Sequence, residues 1–306
     1  MTTLYITGAG VSADSGIPTF RGHDGYWTIG SRNYTPQEMA TRAMYLGDPA
    51  QFLLWYYRRF AAYRHVQPNA VHRWLAAQCN GGGGSGGARL ITQNIDGLDG
   101  KAGNEDYISI HGCLDRMTLL HDQSLFDHRG DGAAGAAAAA GIALLDAPWD
   151  EVAASLADTG ASGPAPADGG SANGSTNGLA DEADEADEAA LIAALLAACR
   201  IPRAGPQMGV SLKPYVLLFD ECYTDLYRMT EAEAWMNGAS RMVFMGTSFS
   251  VNITSIALRV AVQRGIPVEI VDPEPIDLAA SFGIPAGIAD ISYRRMKAQA
   301  WVVAQG

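Results

Sequence analysis

The chain has 306 residues, 48% of them hydrophobic, and a formal net charge of −12, which suits one large or two small globular domains. The acidic balance argues against nonspecific binding to nucleic acid, because such binding requires a basic surface. No stretch is long and apolar enough to span a membrane, and the N-terminus lacks a basic region followed by an apolar core, so we expect a cytoplasmic protein without a membrane partner.

The first predicted element is a short buried strand, Leu4–Thr7, which leads directly into a turn of small residues. The turn matches G-x-G-x-x-G/A, a pattern that lets the backbone approach a pyrophosphate at a helix N-terminus. A Ser-Gly-Ile-Pro run then ends the helix early, whereas an ordinary dehydrogenase would continue it, and Phe20 and Arg21 follow in a Gly-flanked loop. The small residues of the turn are Gly8, Ala9, Gly10 and Ala13.

A predicted helix, Ala50–Tyr63, contains consecutive aromatic and basic residues. Their arrangement is typical of an amphipathic helix that packs its aromatic side chains inward and leaves its arginines in solvent. The residues concerned are Trp55, Tyr56, Tyr57, Arg58 and Arg59.

Apolar runs and helical stretches alternate along the chain, which predicts an α/β fold. Most runs are continuously apolar, as in a parallel sheet covered on both faces, so we expect a Rossmann-like, doubly wound parallel sheet. The strands are predicted at Leu4–Thr7, Arg89–Thr92, Tyr107–Ile110, Tyr215–Phe219, Met242–Met245 and Val268–Val271. The helices between them include Ala50–Tyr63, Ala70–Gln78, Glu231–Asn237 and Ser255–Arg264.

Polar or small residues follow four of these strands, at the edge where ligands bind in this architecture. The T-Q-N-I-D run, read alone, suits a turn that uses Asn and Asp for local hydrogen bonds. A histidine at the end of the third strand has an ordinary pKa of ~6.5, which suits proton removal from a hydroxyl at neutral pH. The residues at this edge are Gln93, Asn94, Ile95, Asp96, His111, Gly246, Thr247, Ser248 and Asp272.

Most of the negative charge lies between Arg129 and Arg200, where twelve acidic residues accompany two basic ones. Within this segment, residues 130–178 are rich in Ala, Gly, Ser and Asp. They cannot bury enough apolar surface to offset the entropy of ordering, so we expect a largely disordered insert. Asp181–Ala198 has an acidic beginning and an apolar end, which predicts a helix with a solvated acidic face.

Together these motifs resemble the sirtuins, the Sir2-type NAD-dependent protein deacylases. The resemblance rests on the N-terminal G-A-G-V-S-A-D-S-G-I-P-T-F-R-G run, on T-Q-N-I-D, H-G and G-T-S, and on L-K-P-Y-V-L-L-F-D-E at residues 212–221, and it covers about three quarters of the chain. It implies NAD as the cofactor and an acylated-lysine protein or peptide as the substrate.

The same resemblance implies a role for each residue of the second and third motifs. Gln93 and Asn94 are expected near the nicotinamide ribose, where Asn94 would take part in catalysis. Ile95 and Asp96 are expected at the carboxamide, whose N–H groups Asp96 can accept. His111 corresponds to the general base of the family.

The remaining motifs are expected to hold the rest of the nucleotide. The G-T-S loop at 246–248 would contact the phosphates and adenosine, and Phe20 would shield the reactive carbon from water. Asp272 could accept both ribose hydroxyls and repel a 2′-phosphate, which favours NAD over NADP, although a turn before Pro273 would also explain it. Asp220 replaces the usual Gly of the L-R-P-x-V-V-x-F-G-E segment, which predicts a changed backbone path near the peptide cleft.

The chain departs from the sirtuin pattern where most members hold a structural zinc with two C-x-x-C pairs. The interval between His111 and Leu212 contains only Cys113 and Cys199, without a C-x-x-C pair, so we expect no zinc. The expected domains are a discontinuous NAD-binding domain at 1–30, 76–112 and 213–306, and a smaller, mostly helical domain at 31–75 and 113–212.

The preferred acyl group stays open at this point. Sirtuins that remove acidic acyl groups use a Tyr and an Arg three residues apart; Tyr56 and Arg59 keep that spacing, whereas Trp55 and Arg58 replace the Tyr. We therefore expect a deacetylase or an acidic-acyl deacylase that releases nicotinamide and O-acyl-ADP-ribose. The alternatives are an NAD-cleaving ADP-ribosyltransferase or NAD hydrolase, and a nonenzymatic module that binds NAD or ADP-ribose.

Overall fold

The computed structural model describes residues 1–19, 36–81, 87–127, 139, 141–158, 178–284 and 290–305, which form nine strands and eleven α-helices. The strands are β1 Thr3–Thr7, β2 Ala88–Thr92, β3 Ile108–Ser109, β4 Gly112–Leu119, β5 Leu145–Asp146, β6 Leu212–Val216, β7 Arg241–Met245, β8 Val268–Val271 and β9 Ile291–Arg294. The helices are α1 Pro36–Met39, α2 Arg42–Gly47, α3 Pro49–Arg59, α4 Ala70–Asn80, α5 Leu98–Lys101, α6 Trp149–Asp158, α7 Gly178–Ala198, α8 Met229–Gly238, α9 Asn252–Arg264, α10 Leu278–Phe282 and α11 Ala298–Val303.

A six-stranded parallel sheet, in the order β3-β2-β1-β7-β8-β9, forms the larger part of the fold. Alternate residues of β1 pack on opposite faces: Leu4 and Ile6 share a core with residues of α8 and α9, and Tyr5 shares one with residues of α4 and α11. Because both faces are covered, the central strands are apolar without interruption. The expected Rossmann-like α/β fold is confirmed.

One predicted strand belongs to a different sheet. Tyr215–Phe219 is predicted to lie in the parallel sheet, but the structure places β6 at Leu212–Val216, antiparallel to β4, in a three-stranded sheet of order β5-β4-β6. An apolar run has the same appearance beside a parallel or an antiparallel partner, which explains the error. The sixth parallel strand is β9, whose partly exposed residues form no apolar run.

A second apolar core lies between the three-stranded sheet and helices α3, α6 and α7. It includes Phe52 and Leu53 of α3, Val152 and Leu156 of α6, and Leu191 and Leu195 of α7. These elements form a smaller, mostly helical part of the molecule beside the parallel sheet.

Helix α6 lies inside residues 130–178, which the sequence predicts to be disordered. That prediction is wrong for Trp149–Asp158, where Trp149, Val152 and Leu156 are buried in the second core. These three residues have i, i+3, i+7 spacing, the signal of one helix face, within an otherwise alanine-rich stretch. Residues 128–138 and 159–177 of the insert lie outside the described residues.

Several element boundaries differ from prediction by a few residues. The helix predicted at Ala50–Tyr63 ends at Arg59, and a 3₁₀ turn follows at Ala61–Tyr63. The helix predicted after the glycine turn is two short 3₁₀ turns, Ala9–Val11 and Ala13–Ser15. None of the described helices combines the length and hydropathy needed to traverse a bilayer.

Candidate active site

Three glycines bring two loops into backbone contact at the carboxyl edge of the parallel sheet. A Cβ at Gly8 would lie 2.7 Å from the carbonyl oxygen of Gly246, and a Cβ at Gly10 would lie 2.7 Å from the Gly246 Cα. Gly246 itself has a φ of +58°, in the region that favours glycine. The loops after β1 and β7 therefore meet only because these positions carry no side chains. Ala9 and Ala13 lie in the same turn, while Phe20 and Arg21 lie outside the described residues.

The side-chain amide of Gln93, in the loop after β2, links the ends of β1 and β7. Gln93 Nε2 donates to the Thr7 carbonyl, at 2.9 Å, and to Thr247 Oγ1, at 3.2 Å. Ser248 is exposed, and its hydroxyl lies 2.8 Å from Ser250 Oγ. The predicted residues after β1, β2 and β7 are thus brought together, as the strand order requires.

A hydrogen-bond network links Asn94 and Asp96 to the glycine turn. Ser12 Oγ donates to Asp96 Oδ2 at 2.6 Å and accepts from Asn94 Nδ2 at 3.2 Å. Asn94 Nδ2 also donates to the Gly8 carbonyl, and Asp96 Oδ1 accepts the N–H of Leu98. The network fixes the position of the Asp96 carboxylate at the end of β2.

His72 joins this network, although the sequence pattern gives it no role. Its Nδ1 accepts the backbone N–H of Asn69, so Nε2 carries the proton and lies 3.4 Å from Ser12 Oγ. Burial lowers the pKa of His72 to about 4, so the imidazole is neutral at pH 7. Its position opposite Asp96 requires the tertiary fold, because 24 residues of sequence and one strand separate the two.

His111 lies at the end of β3 and is held from both ring nitrogens. Its Nδ1 is 2.9 Å from the carbonyl oxygen of Gln93, and its Nε2 is 2.9 Å from the hydroxyl of Tyr223. Because a carbonyl can only accept, Nδ1 carries the proton and Nε2 has the free electron pair. Burial lowers the pKa of His111 to about 4, so it is a neutral proton acceptor at pH 7.

A cavity of about 180 Å³ opens beside Asp96 and extends into the smaller part of the molecule. Residues predicted for the site form one end, including Ala9, Asn94, Ile95 and Asp96. The other end was missed by sequence reasoning and consists of Tyr63, Arg64, His65, Lys101, Trp149 and Asp150, among others.

Hydrogen bonds link the residues at this second end of the cavity. Arg64 Nε donates to Asp150 Oδ1 at 2.6 Å, and Lys101 Nζ donates to the Arg64 carbonyl. Trp149 Nε1 donates to the Leu114 carbonyl at 2.7 Å, which fixes the indole against the cavity wall. The insert thus supplies part of the site through Trp149 and Asp150.

Asp272 lies after β8 in a turn. Its Oδ1 accepts the N–H of Glu274 at 2.9 Å, and burial raises its pKa above the ordinary value for aspartate. This geometry agrees with the interpretation of Asp272 as a turn residue. The turn uses Oδ1 and leaves Oδ2 aside.

The four residues considered for acyl recognition do not line the cavity in the described part of the chain. Trp55 and Tyr56 are buried in the second core. Arg58 pairs with Glu188 of α7, with 2.7 Å between Nη1 and Oε2, and the Arg59 guanidinium lies 5.5 Å from the centre of the Trp55 ring. Of the four, Arg58 thus contacts α7, and Trp55 and Tyr56 are in the second core.

The two cysteines of the zinc interval are buried in different elements. Cys113 lies in β4, and Cys199 directly follows α7, where burial raises the pKa of its thiol to about 12. Among the described residues, no three His, Cys, Asp or Glu side chains converge as metal ligands would.

The N-terminal part of the chain matches a known protein family. Residues 8–130 match the model of the Sir2 family. An NAD-dependent protein deacylase 1 of Pseudomonas aeruginosa is 44% identical over 112 residues, which are 36% of this chain and 42% of the relative. An NAD-dependent protein deacylase of Rhodopirellula baltica is 36% identical over 135 residues, 43% of this chain and 55% of the relative. The chain thus spans about half the length of these curated relatives.

Solved structures extend the similarity of fold across the chain. A Sir2 homologue in complex with NAD aligns over 98% of this chain and 86% of its own, with a TM-score of 0.62 and 24% identity. A Sir2–p53 peptide–NAD+ complex aligns over 99% of this chain and 91% of its own, with a TM-score of 0.62 and 19% identity. At this identity the likeness concerns the fold alone. The family match itself is carried by residues 8–130, so over that part of its length the chain is similar to the Sir2, or sirtuin, family.

Proposed function

We propose that the protein is an NAD-dependent protein-lysine deacylase, which releases nicotinamide and O-acyl-ADP-ribose. One observation carries the proposal: the neutral base His111, the fixed carboxylate of Asp96 and the side-chain-free Gly8–Gly10 turn converge on one edge of the parallel sheet. A cavity opens at the same place. The names of the P. aeruginosa and R. baltica relatives point to the same activity.

The residues present fit NAD. The contact between Gly10 and Gly246 leaves backbone where a Cβ would collide, which suits the close approach of a pyrophosphate. Gln93 and Thr247 present an amide and a hydroxyl beside it, and Asp272 keeps a carboxylate oxygen for a ribose hydroxyl. When bound, NAD supplies a ribose carbon from which nicotinamide can leave.

The chain's own groups then have distinct tasks. Asp96 retains lone pairs beyond those used by Ser12 and Leu98, and they can accept the N–H groups of a carboxamide. Asn94, held by Ser12, positions the ribose. His111 removes a proton from a ribose hydroxyl, with Nδ1 held by the Gln93 carbonyl.

A second candidate function is NAD cleavage with water or another protein side chain as the acceptor. It is favoured by the segment expected to bind a peptide as an added strand, where the Phe219 N–H donates to the Ala40 carbonyl at 2.9 Å. Asp220 holds this arrangement, since its carboxylate accepts the N–H groups of Arg42 and Ala43 at the start of α2. One backbone N–H of the segment that would pair with a peptide is therefore already used.

The test is incubation of the protein with NAD and acetyl- or succinyl-lysine peptides, with mass spectrometry of nicotinamide, free lysine peptide and O-acyl-ADP-ribose. Acyl-ADP-ribose formed by the wild type and absent with His111→Ala supports deacylation. Nicotinamide without deacylated peptide supports the second candidate. NAD binding measured by calorimetry, with no release of nicotinamide, supports a nonenzymatic binding module. Thermal unfolding checks that the His111→Ala variant is folded.

The expected domain division and compartment form part of this proposal. The parallel sheet would be the NAD-binding domain at 1–30, 76–112 and 213–306, and the second core would be the smaller domain at 31–75 and 113–212. The enzyme would act in the cytoplasm on acylated proteins, independently of zinc, nucleic acid and membranes.

A further inference from the structure

The electron pair of His111 Nε2, which the proposed reaction needs, is already engaged by Tyr223. The Tyr223 hydroxyl lies 2.9 Å from Nε2, and the two rings stack at 28° with centroids 5.8 Å apart. Since Nδ1 donates to the Gln93 carbonyl, Nε2 accepts, and the Tyr223 O–H donates to it. A proton can therefore reach Nε2 only through this phenol or after the phenol has moved away.

Contacts on two sides hold the phenol in place. Its ring packs against the core formed by the parallel sheet, α8 and α9, and its hydroxyl is hydrogen-bonded to His111 Nε2. Burial raises the pKa of Tyr223 to about 12, so the phenol keeps its proton at pH 7. A side chain fixed by both His111 and α9 is poorly suited to swing aside during each turnover.

The hydrogen-bonding capacity of the phenol leaves one position open. A phenol oxygen has one proton and two lone pairs. The proton goes to His111 Nε2, so the oxygen keeps a lone pair that can accept from a further donor. A substrate hydroxyl is a donor of the required kind.

We propose that Tyr223 is a catalytic residue that relays a proton from a ribose hydroxyl to His111, an inference that rests on the proposed function. The hydroxyl O–H bond breaks as its proton binds Tyr223 Oη, and the phenol O–H bond breaks as its proton binds His111 Nε2. Tyr223 ends neutral, His111 becomes an imidazolium, and the substrate oxygen keeps its electron pair for attack. The step needs no further reactant.

Tyr223→Phe tests the relay, with Tyr227→Phe as the matched control. Tyr227 lies four residues away, is buried, and its hydroxyl has no hydrogen-bond partner among the described residues, so its removal leaves the site unchanged. For Tyr223→Phe we expect kcat for acyl-ADP-ribose formation to fall about 100-fold, the low end for general acid–base catalysis. We expect the Kd of NAD, measured by calorimetry, to stay within about 2-fold, and Tyr227→Phe to resemble the wild type in both.

A second readout examines the Tyr223–His111 contact without turnover. In ¹⁵N NMR spectra of histidine-labelled protein, Tyr223→Phe should move the His111 Nε2 resonance towards that of a free acceptor nitrogen, whereas Tyr227→Phe should not. An unmoved resonance, or a Tyr223→Phe enzyme as fast as an active wild type, would overturn the relay and leave deacylation standing. A wild type that releases no nicotinamide would overturn the proposed function, and the relay with it.

Discussion

Lys213 and Glu221, both within the segment predicted to bind a peptide, form a buried ion pair, with Nζ 2.9 Å from Oε2 and both side chains at most 1% exposed. Lys213 Nζ also donates to the Val216 carbonyl, and Glu221 Oε2 accepts the N–H of Leu218. Burial lowers the pKa of Lys213, and the Glu221 carboxylate opposes that shift. Through these bonds the pair fixes the turn after β6.

Glu221→Gln should therefore destabilise the protein strongly, because it leaves the Lys213 ammonium buried without its counter-charge. The expected loss in the free energy of unfolding is about 3–5 kcal/mol, the range for breaking a buried pair. Chemical denaturation measures it, with Glu221→Leu/Lys213→Met as the control in which both charges are gone. A double variant as unstable as the single one would contradict this account.

Gly10→Ala should destabilise the fold and abolish NAD binding together. Its Cβ would lie 2.7 Å from the Gly246 Cα, and neither backbone can withdraw without disturbing β1 or β7. Overpacking of this kind costs about 1–3 kcal/mol. Gly238→Ala, at the end of α8 with nothing within 4 Å of the added carbon, is the matched control and should leave both properties unchanged. Chemical denaturation measures the stability of both variants, and calorimetry measures their binding of NAD.

The stability of the protein should depend on pH through His111. Its pKa of about 4 in the fold is below the ordinary value of 6.5, so the unfolded chain binds the proton first as pH falls. The contribution of neutral His111 to the free energy of unfolding is therefore fully present above pH 6.5 and is lost between pH 6.5 and 4. In that window the free energy of unfolding changes by at most ~1.4 kcal/mol per pH unit through this group.

The measurement is the free energy of unfolding at several pH values in that window, for the wild type and His111→Asn. Asp99, whose pKa burial raises to about 7, acts in the opposite direction, so the difference between the two proteins is the relevant quantity. His65→Asn, which replaces a histidine whose side chain is 70% exposed, is the matched control. Equal slopes for wild type and His111→Asn would show that His111 is not buried in the neutral form.

Glu188→Gln should reveal whether Arg58 can recognise an acidic acyl group. In the structure Arg58 pairs with Glu188, while Trp55, which stands three residues before it, is buried in the core. We expect the wild type to prefer acetyl- over succinyl-lysine peptides by kcat/KM. Exposed pairs contribute only about 0–1 kcal/mol, so the variant should remain folded. A rise in desuccinylation with Glu188→Gln would assign Arg58 to acyl recognition, and an unchanged ratio would exclude it.

The sequence predicts the site loops better than it predicts the smaller part of the fold. Strand-ending residues such as Asn94, Asp96 and His111 lie where the strand order places them, because the carboxyl ends of parallel strands share one edge. His72 and Tyr223 were missed, since their roles arise from contacts across 60 and 112 residues of chain. No local pattern records such contacts.

The errors in predicting the fold from sequence also have local causes. The apolar run around Tyr215 carries no information on strand direction, and β9 is an edge strand without a continuous apolar run. Helix α6 was hidden by the alanine-rich composition around it, although the spacing of Trp149, Val152 and Leu156 marks a buried face.

The central position of β1 has a consequence for biosynthesis. Thr3–Thr7 leaves the ribosome more than 200 residues before Arg241–Met245, one of its two neighbours in the sheet. During synthesis β1 therefore keeps one strand edge unpaired until β7 has been made. Such long-range pairing slows folding and exposes the waiting strand to aggregation, so this protein should depend on chaperones during synthesis more than its size suggests.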